Sequence, residues 1–352
     1  MRILILTPTA FPFVTGNAST TERWRRSLVK QGHRVRVLAT EGLDVPVFRQ
    51  VLADFEPDLV HVHHAFRAGQ LLFNPSIESA SNGRPLVVSP GGTDINLDSQ
   101  KDDRRKIITR VLERAKAVVV QSEEMRRRIN GCFPGLQDRV VRIPKSISWM
   151  GGEAFDLRGA AGCGRENVLF FFPAGIRPVK GNLEALLLLE KAHAERSVIR
   201  AVFAGPALDE AYAVRFDREA KRLRAFARWI PPIPVQAMRS AYEGADVVLN
   251  ASSSEGLSNV LLEAQAAGKP ILASDIPENR QPVLGENGDS PAGLLFNLSD
   301  SGDFLRQALR LVDDPELRHT LGQGGKNQAA RLPGSEEEGL RLLRVYETAL
   351  NT

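Results

Sequence analysis

The chain has 352 residues, of which 43% are hydrophobic and 25% charged, and its formal net charge is +4. This composition is typical of a folded globular protein, and the length exceeds what one hydrophobic core usually serves. The positive charge is too weak and too dispersed to indicate a nucleic-acid-binding protein, although it suits phosphorylated small ligands. We therefore expect two domains and no nucleic-acid partner.

Several features of the sequence indicate the cellular compartment and the contact with membranes. Cys132 and Cys163 lack metal-site spacing and imply no disulfide framework, so we expect a reducing compartment. We also expect no metal and no cofactor. The apolar segment Met1–Leu6 resembles a signal peptide only briefly, because Pro8 and Pro12 follow it, and no apolar run approaches the length of a membrane span. The stretches Lys101–Arg105 and Arg126–Arg128 are predicted to be solvated helix faces, with attraction to anionic lipid as the alternative. We expect a cytoplasmic protein with at most peripheral membrane contact.

Short apolar runs alternate with longer amphipathic stretches along most of the chain. Because the runs are continuous rather than alternating, both faces of each strand should be covered, as in parallel sheets flanked by helices. The irregular segment Pro144–Glu166 separates two series of runs, which predicts two doubly wound α/β domains, and Glu336–Leu350 is predicted to form a final helix. The predicted strands are Ile3–Leu6, Val35–Leu38, Leu59–His63, Leu86–Ser89, Ala117–Val120 and Val140–Ile143, then Val168–Phe172, Ile199–Phe203, Asp246–Asn250, Pro270–Ala273 and Gly293–Phe296.

A long loop, Thr7–Ala18, follows the first predicted strand and contains Gly16 and Asn17. Loops of this length in a compact domain are usually functional, and Gly16 permits close approach of the backbone to a ligand. The spacing Ser19-Thr-Thr-Glu22 is that of a capping box, which predicts a helix beginning there and closed by Gly32. The loop has no Gly-x-Gly-x-x-Gly pattern, so a dinucleotide-binding fingerprint is not supported.

Three histidines end the predicted strand Leu59–His63. His61 and His63 point to one face and His64 to the other, by the two-residue period of a strand. No further ligands cluster nearby in sequence, so a packed or hydrogen-bonding role is favoured over a metal pair. Contact of His63 or His64 with an acceptor is the alternative.

Polar residues also follow the strand Leu86–Ser89, in the sequence Pro90-Gly-Gly-Thr-Asp94. The glycine pair permits close approach, and Thr93 and Asp94 place polar groups at the edge of the sheet. This favours a functional use. The alternative for Asp94 is a helix cap.

Two cations follow the first strand of the second series. Arg177 and Lys180 lie in a loop stiffened by glycines and prolines, and ligands bind outside the carboxyl ends of parallel strands. Arginine offers a bidentate fork and lysine a point charge, so the pair could neutralise a leaving diphosphate. The alternative is a pair of solvated surface cations. The apolar loop Trp229–Pro234, with Ile233, could carry a flat base or serve only as a stiff connection.

The pair Glu255 and Glu263 is the most informative motif of the chain. Glu255 follows the strand Asp246–Asn250, and the apolar spacing after it predicts a helix that Gly268 ends, with Glu263 two turns into it. Between them lie the backbone N–H groups of a helix N-terminus, which suit phosphate, while each carboxylate can accept hydrogen bonds from hydroxyls. This arrangement suits a nucleotide sugar. The alternative is an ordinary strand–helix unit with solvated glutamates.

With these residues identified, the chain resembles the family-4 retaining glycosyltransferases (glycosyltransferase group 1) of the GT-B fold. The resemblance covers nearly the whole length and is strongest over Val168–Phe296, which contains the family's Arg…Lys-Gly and Glu-x7-Glu patterns. Four short signatures are similar to the glycosyltransferase 1 domain-containing protein branch: Thr15–Ala18, Gly91–Asn96, Gly175–Lys180 and Ser252–Ser258. The chain also resembles the SenB-type selenosugar synthases, which join a UDP-sugar to selenophosphate, in its Gly-Asn, Gly-Thr-Asp and Arg-Pro-Val-Lys signatures, Arg23-Trp24 and Gly32–Val35.

The resemblance implies two facing Rossmann-like domains. Residues 1–155 would form the acceptor side, residues 156–333 the donor domain, and residues 334–352 a C-terminal crossover helix returning to the first domain. The implied activity is metal-independent, retaining transfer from a nucleotide diphosphate sugar, most likely a UDP-sugar, to an unidentified acceptor. The oligomeric state does not follow from the sequence.

The resemblance also implies roles for single residues. Arg177 and Lys180 would bind the diphosphate, Glu255 would hold the hydroxyls of the donor sugar, and Glu263 the ribose. The other expected donor-binding residues are Gly16, Asn17, Ile233, Gly256, Leu257, Ser258 and Asn259.

One position departs from the family pattern. Many relatives have His-Gly-x-x-Asp after the fourth strand, with the histidine near the reacting carbon, whereas this chain has Gly91 there. Thr93 or Asp94 is therefore expected to act instead. Two alternative functions stay open: a selenosugar synthase that uses selenophosphate as the nucleophile, and a nucleotide-sugar-binding module without catalysis.

Overall fold

A computed structural model describes residues 1–75, 83–286 and 288–352. The chain divides into two compact units. The N-terminal domain comprises Met1–Ser148 together with Pro333–Thr352, and the C-terminal domain comprises Trp149–Leu332. From the sequence, these divisions are expected after residues 155 and 333.

The N-terminal domain is built on a six-stranded parallel sheet with the strand order β2-β1-β3-β4-β5-β6. Its strands are β1 (Arg2–Thr7), β2 (Arg34–Ala39), β3 (Leu59–His63), β4 (Leu86–Ser89), β5 (Ala117–Val120) and β6 (Val140–Arg142). Its described helices are α1 (Gly16–Lys30), α2 (Val45–Phe55), α3 (Thr93–Asn96), α4 (Asp102–Arg114) and α5 (Glu123–Cys132). The α/β prediction for this half is confirmed.

The C-terminal domain contains a second six-stranded parallel sheet, with the order β12-β11-β10-β7-β8-β9. Its strands are β7 (Val168–Pro173), β8 (Ile199–Ala204), β9 (Ala227–Ile230), β10 (Val247–Asn250), β11 (Ile271–Ser274) and β12 (Gly293–Phe296). Its described helices are α6 (Leu157–Ala161), α7 (Asn182–Glu195), α8 (Glu210–Arg222), α9 (Met238–Gly244), α10 (Asn259–Ala267), α11 (Pro277–Leu284), α12 (Ser301–Asp313) and α13 (Pro315–Ala329). The last helix of the chain, α14 (Ser335–Asn351), belongs to the N-terminal domain.

Three local predictions are wrong. Trp229 lies within the edge strand β9, which is absent from the predicted series, rather than in the loop after a strand. The strand β2 is not covered on both faces: Arg34 and Arg36 are exposed and its other four residues are only partly buried, because β2 lies at the edge of its sheet. Helix α1 begins at Gly16 and not at the Ser19 capping box, because the Thr15 side chain accepts a hydrogen bond from the Ala18 backbone and caps the helix earlier.

Helix α14 is attached to the N-terminal domain by a buried ion pair. Glu338, which is 1% exposed, accepts from Arg23 Nε at 2.8 Å and from Trp24 Nε1 at 2.8 Å, and it also accepts from the hydroxyl of Ser146. Burial would raise the pKa of Glu338, but the Arg23 charge and these hydrogen bonds bring it below its ordinary value. Helix α14 is therefore held in place by the Glu338 carboxylate, whose charge is neutralised by Arg23 of the same domain.

A buried histidine adds a second polar attachment of α14. His61 bonds through Nδ1 to the Tyr346 hydroxyl at 2.6 Å and through Nε2 to Ser89 Oγ at 2.7 Å, and its ring stacks on Trp24. Burial lowers the pKa of His61 to about 3, so the ring is neutral. This is the packed, hydrogen-bonding role that the sequence favours for His61.

We predict that Glu338→Ala destabilises the N-terminal domain far more than Glu336→Ala on the same helix. Breaking a buried ion pair costs about 3–5 kcal/mol because one charge stays buried without a partner. Glu336 pairs with Lys30 at the surface, and such a pair contributes less than about 1 kcal/mol. Urea unfolding, with hydrogen exchange of the α14 backbone, measures both losses.

Equal losses in the two variants would contradict this role of Glu338. The wild-type advantage over Glu338→Ala should also shrink in acid. Because the folded-state pKa of Glu338 is lowered, its stabilisation is present above the ordinary pKa of glutamate and is lost as the pH falls through the folded value.

Candidate active site

Glu255 and Lys180 form an ion pair at the carboxyl edge of the second sheet. Lys180 Nζ lies 2.6 Å from Glu255 Oε1. The two residues are brought together because their loops follow β7 and β10, which are adjacent parallel strands. The sequence prediction that these two motifs share one sheet edge is confirmed.

The carboxylate of Glu255 is held by more than its lysine partner. Oε1 also accepts from Ser252 Oγ at 2.7 Å and from Asn250 Nδ2 at 3.3 Å, and the residue is 8% exposed. Burial would raise the pKa of Glu255, but the Lys180 charge and the three hydrogen bonds lower it below its ordinary value. Glu255 is thus a fixed, ionised acceptor.

Gly181 makes the approach of Lys180 possible. Its φ is +65°, and a side chain at this position would collide with the carbonyl oxygen of Ala251, in the loop that carries Glu255. The short helical turn Pro178–Lys180 precedes it, and Val179 O accepts from Ser253 N at 3.0 Å. The two loops therefore pack backbone to backbone, which brings the lysine within reach of the glutamate.

Arg177 contributes a second cation on the same loop as Lys180. Its buried Nε has no hydrogen-bond partner among the described residues. Desolvation lowers the pKa of Arg177, while the charge of Glu255 acts in the opposite direction. The backbone N–H of Arg177 donates to Asn182 Oδ1 at 3.2 Å, which fixes the position from which the side chain extends.

Glu263 lies on helix α10, which begins at Asn259, so it sits little more than one turn into the helix and not two. The hydroxyl of Tyr242 donates to Glu263 Oε2 at 2.7 Å. Tyr242 is fully buried on α9, and burial raises its pKa well above the ordinary value, so the hydroxyl stays a donor. Tyr242 therefore orients the Glu263 carboxylate.

The segment Gly256–Asn259 leads into the N-terminus of α10, as predicted. Ser258 occupies the N-cap, and its hydroxyl accepts from Asn250 Nδ2 at 3.2 Å rather than capping the helix amides. The first amides of a helix have no intrahelical acceptor, which suits an anion. Ile233 is 5% exposed and packs in the same core cluster as Tyr242.

In the N-terminal domain, Asp94 holds a loop together. Its fully buried carboxylate accepts four backbone N–H groups, from Ala65, Gly91, Gly92 and Ile95, at 2.6–3.1 Å. These contacts favour a structural role for Asp94 in the loop, because its oxygens are committed to the backbone. Thr93, on the first position of α3, is only partly buried, and its Oγ1 lies 3.1 Å from His64 Nε2.

Gly16 and Asn17 form the first turn of α1, after the loop that follows β1. They lie at the carboxyl edge of the first sheet, as do the loops that carry His64 and Thr93. The structure therefore gathers the predicted residues at two sheet edges, one in each domain. Within the described residues, no group of three or more His, Cys, Asp or Glu side chains is arranged to hold a metal ion.

The sequence did not predict the contacts of three site residues: Asn250, Ser252 and Tyr242. His64 has the hydrogen-bonding role that the sequence favours, with Thr93 as its partner. Asn250 and Ser252 flank the end of β10, so polar residues at a strand end were the available signal. No local pattern marks Tyr242, which reaches Glu263 from another helix.

Two family models cover most of the chain. The model described as "Glycosyl transferases group 1" matches residues 158–328, and the model described as "Glycosyl transferase 4-like domain" matches residues 42–145.

The chain belongs to the group 1 glycosyltransferases.

Relatives agree with this assignment, and a solved structure shares the fold. This glycosyltransferase is 24% identical to the glycosyltransferase 1 domain-containing protein 1 of Xenopus tropicalis, over 89% of the chain and 88% of the relative. It is 28% identical to a D-inositol 3-phosphate glycosyltransferase of Thermomonospora curvata over 70% of the chain, but spans only 58% of that relative. Anabaena HepE in complex with UDP-glucose has the same fold, with a TM-score of 0.77 at 17% identity over 98% of this chain and 99% of HepE. The GT-B fold prediction is thereby confirmed.

No helix in the described parts of this glycosyltransferase combines the length and apolar character needed to cross a membrane.

We predict that Gly181→Ala disrupts the site of this glycosyltransferase beyond the ordinary cost of a positive φ. Gly32→Ala is the matched control, because Gly32 has φ +86° and nothing within 4 Å of an added Cβ. Strain from the backbone alone costs about 1–3 kcal/mol and should appear in both variants. The collision with Ala251 should appear only at Gly181. Melting temperatures and UDP binding of both variants measure the difference, and equal behaviour would contradict the close loop packing.

We also predict that Tyr242→Phe weakens nucleotide-sugar binding through Glu263. A hydrogen bond to a charged group contributes about 1.5–3 kcal/mol, so the dissociation constant should rise about tenfold or more if Glu263 contacts the ligand. Calorimetry with UDP, uridine and free diphosphate identifies the affected part. A loss for UDP and uridine with unchanged diphosphate binding is expected, and a loss for diphosphate alone would contradict the assignment of Glu263 to ribose.

Proposed function

We propose that this glycosyltransferase is a metal-independent, retaining enzyme that transfers a sugar from a nucleotide diphosphate sugar, a UDP-sugar in the simplest case. The observation that carries the proposal is the Lys180–Glu255 ion pair beside Arg177 at one sheet edge. HepE, a structural neighbour, has been solved with UDP-glucose, which supports the choice of UDP.

In the C-terminal domain, cations and backbone amides would bind the diphosphate of the donor, and carboxylates would bind its hydroxyls. Arg177, Lys180 and the backbone amides of Gly256–Asn259 would bind the diphosphate, since cations and helix N-termini both attract anions. Glu255 would accept hydrogen bonds from the sugar hydroxyls, and Glu263, oriented by Tyr242, from the ribose.

The transfer step moves one sugar from an oxygen of the diphosphate to the nucleophilic atom of the acceptor. The bond from the anomeric carbon to the diphosphate breaks, and its electron pair leaves with the nucleotide. The acceptor atom forms the new bond on the same face and gives its proton to an oxygen of the departing phosphate. Arg177 and Lys180 would stabilise the charge that develops on that phosphate, which is transition-state rather than ground-state stabilisation.

Glu255 would position the sugar and not attack it. Its Oε1 is the acceptor of three side-chain donors, including Lys180, so the carboxylate orientation is set by the protein. The acceptor would bind to the N-terminal domain, at the sheet edge that carries Thr93.

We predict that UDP raises the melting temperature of the wild type and not that of Arg177→Ala. A ligand that binds only the folded state stabilises it by about 2.7 kcal/mol at one hundred times its dissociation constant. Arg218→Ala is the control, because Arg218 is an exposed arginine of the same domain. No shift with any nucleotide diphosphate, in a wild type that melts cooperatively, would overturn the donor assignment.

Turnover is the second measurement of this same prediction. Lys180→Met should lower kcat about 100-fold or more, since a lost electrostatic contact to the developing charge has that effect. Lys221→Met, at an exposed lysine, should leave kcat unchanged. The acceptor panel should include inositol phosphates and selenophosphate, and the anomeric configuration of the product, read by NMR, decides between retention and inversion.

A further inference from the structure

His64 has an unusual backbone conformation at the carboxyl edge of the N-terminal sheet. It directly follows β3, and its φ is +83°, in the left-handed region that residues other than glycine rarely adopt. Its backbone N–H donates to Ser89 O at 2.9 Å and its carbonyl accepts from Ala68 N at 3.2 Å, so both ends of the residue are fixed. Such outliers concentrate where a fold must aim a side chain.

The hydrogen bonds of the ring determine which nitrogen carries the proton. The backbone N–H of Arg67 donates to His64 Nδ1 at 3.1 Å, so Nδ1 is an acceptor. The hydrogen of the neutral ring is then on Nε2, which lies 3.1 Å from Thr93 Oγ1 and donates to it. The hydroxyl oxygen of Thr93 is therefore an acceptor toward His64, and its own hydrogen must point elsewhere.

Gly91 provides the space that the ring occupies. A Cβ at position 91 would lie 2.9 Å from Cδ2 of His64, closer than carbon atoms normally approach. His64 as a whole residue is 1% exposed, whereas Thr93 is partly exposed. His64 is thus buried against Gly91, and its Nε2 is within hydrogen-bond distance of the partly exposed residue Thr93.

The loop that carries Thr93 is held rigidly enough to preserve this geometry. Asp94 binds the backbone N–H groups of Gly91, Gly92 and Ile95 in the loop and that of Ala65 beside His64. One carboxylate therefore ties the segment after β3 to the segment after β4. The hydrogen bond from His64 to Thr93 joins the same two segments.

We propose that His64 is a positioning residue that fixes the Thr93 hydroxyl as a hydrogen-bond donor to an oxygen atom of a substrate in the glycosyl transfer. The substrate oxygen belongs to the acceptor or to the donor sugar, and both offer the same accepting chemistry. The proposal rests on the proposed function for the identity of the reaction. The imidazole acts through Thr93 and transfers no proton itself.

A double-mutant cycle tests the link between the two residues. Asn tolerates a positive φ but is too short to replace Nε2, so His64→Asn removes the hydrogen bond and keeps the backbone. Thr93→Val removes the hydroxyl. Each change should lower kcat about tenfold, as expected for one lost hydrogen bond, and the double variant should be no slower than Thr93→Val. UDP binding and the melting temperature should stay near those of the wild type, and His319→Asn, at an exposed histidine, is the matched control.

Additive losses in the cycle, or an unchanged kcat in His64→Asn, would overturn the proposal. Hydrolysis of the UDP-sugar, measured without acceptor, shows whether Thr93 contacts an oxygen of the donor sugar or of the acceptor. If the oxygen belongs to the donor sugar, Thr93→Val slows hydrolysis and transfer alike. If it belongs to the acceptor, only transfer slows.

A transplanted ring gives an independent check. His64→Gly removes the imidazole and relieves the positive φ, and adding Gly91→His returns a ring to the same space from the loop that follows β4. Recovery of kcat in the double variant relative to His64→Gly is expected. If Gly91→His in the His64→Gly background does not raise kcat while the protein stays folded, an imidazole in that space does not position Thr93, and the proposal is overturned.

A spectroscopic readout keeps the proposal testable if no sugar transfer is found. In protein with ¹⁵N-labelled histidine, the His64 signals, identified by their loss in His64→Asn, should show a neutral ring with hydrogen on Nε2. The Nε2 signal should shift in Thr93→Val. The opposite tautomer would overturn the proposal, whereas absence of turnover with this tautomer would count only against the proposed function.

Discussion

A carboxylate removed from water stays ionised only if protein groups replace the lost hydration, and Glu255 obtains these groups from two loops. Lys180 supplies the opposite charge at 2.6 Å, and Ser252 and Asn250 supply neutral donors. The lysine comes from the loop after β7 and the glutamate from the loop after β10. The chemistry at this edge therefore depends on the adjacency of two strands that are distant in sequence, and on Gly181, which lets their loops touch.

The Arg177 guanidinium at this edge lowers the stability of the protein. Arg177 Nε is buried with no acceptor among the described residues, and an unsatisfied buried donor costs about 1–3 kcal/mol. Desolvation also lowers the pKa of Arg177, which shows that burial disfavours its charge. A fold that tolerates this cost keeps its donors in place before any anion binds, so little reorganisation is needed during the reaction. Stability given up at a binding site in this way is a common trade-off.

The sequence predicts much of the fold because buried parallel strands leave a strong local signal. Continuous apolar runs such as Leu59–His63 match their strands, whereas the edge strand β9 was missed because Arg228 and its neighbours lack such a run. Helix starts are harder, since two candidate caps compete: Ser19 begins a capping box, yet Thr15 caps α1. Contacts between elements are not encoded locally at all. Nothing near Glu263 in sequence indicates that Tyr242, on a different helix, sets its orientation.

Asp94 and Glu255 show why residue type alone did not settle the roles of the acids. Both follow a strand at the carboxyl edge of a parallel sheet, and both are buried acceptors of several hydrogen bonds. Asp94 is bound by backbone N–H groups, which cannot leave without unfolding the loop. Glu255 is bound by side chains, and the ammonium of Lys180 sits on a flexible stem that can turn toward a phosphate while staying near the carboxylate. A carboxylate committed to backbone N–H groups holds its loop together, whereas one paired with a flexible ammonium can exchange partners, and this difference supports the substrate contact proposed for Glu255 and a role in loop architecture for Asp94.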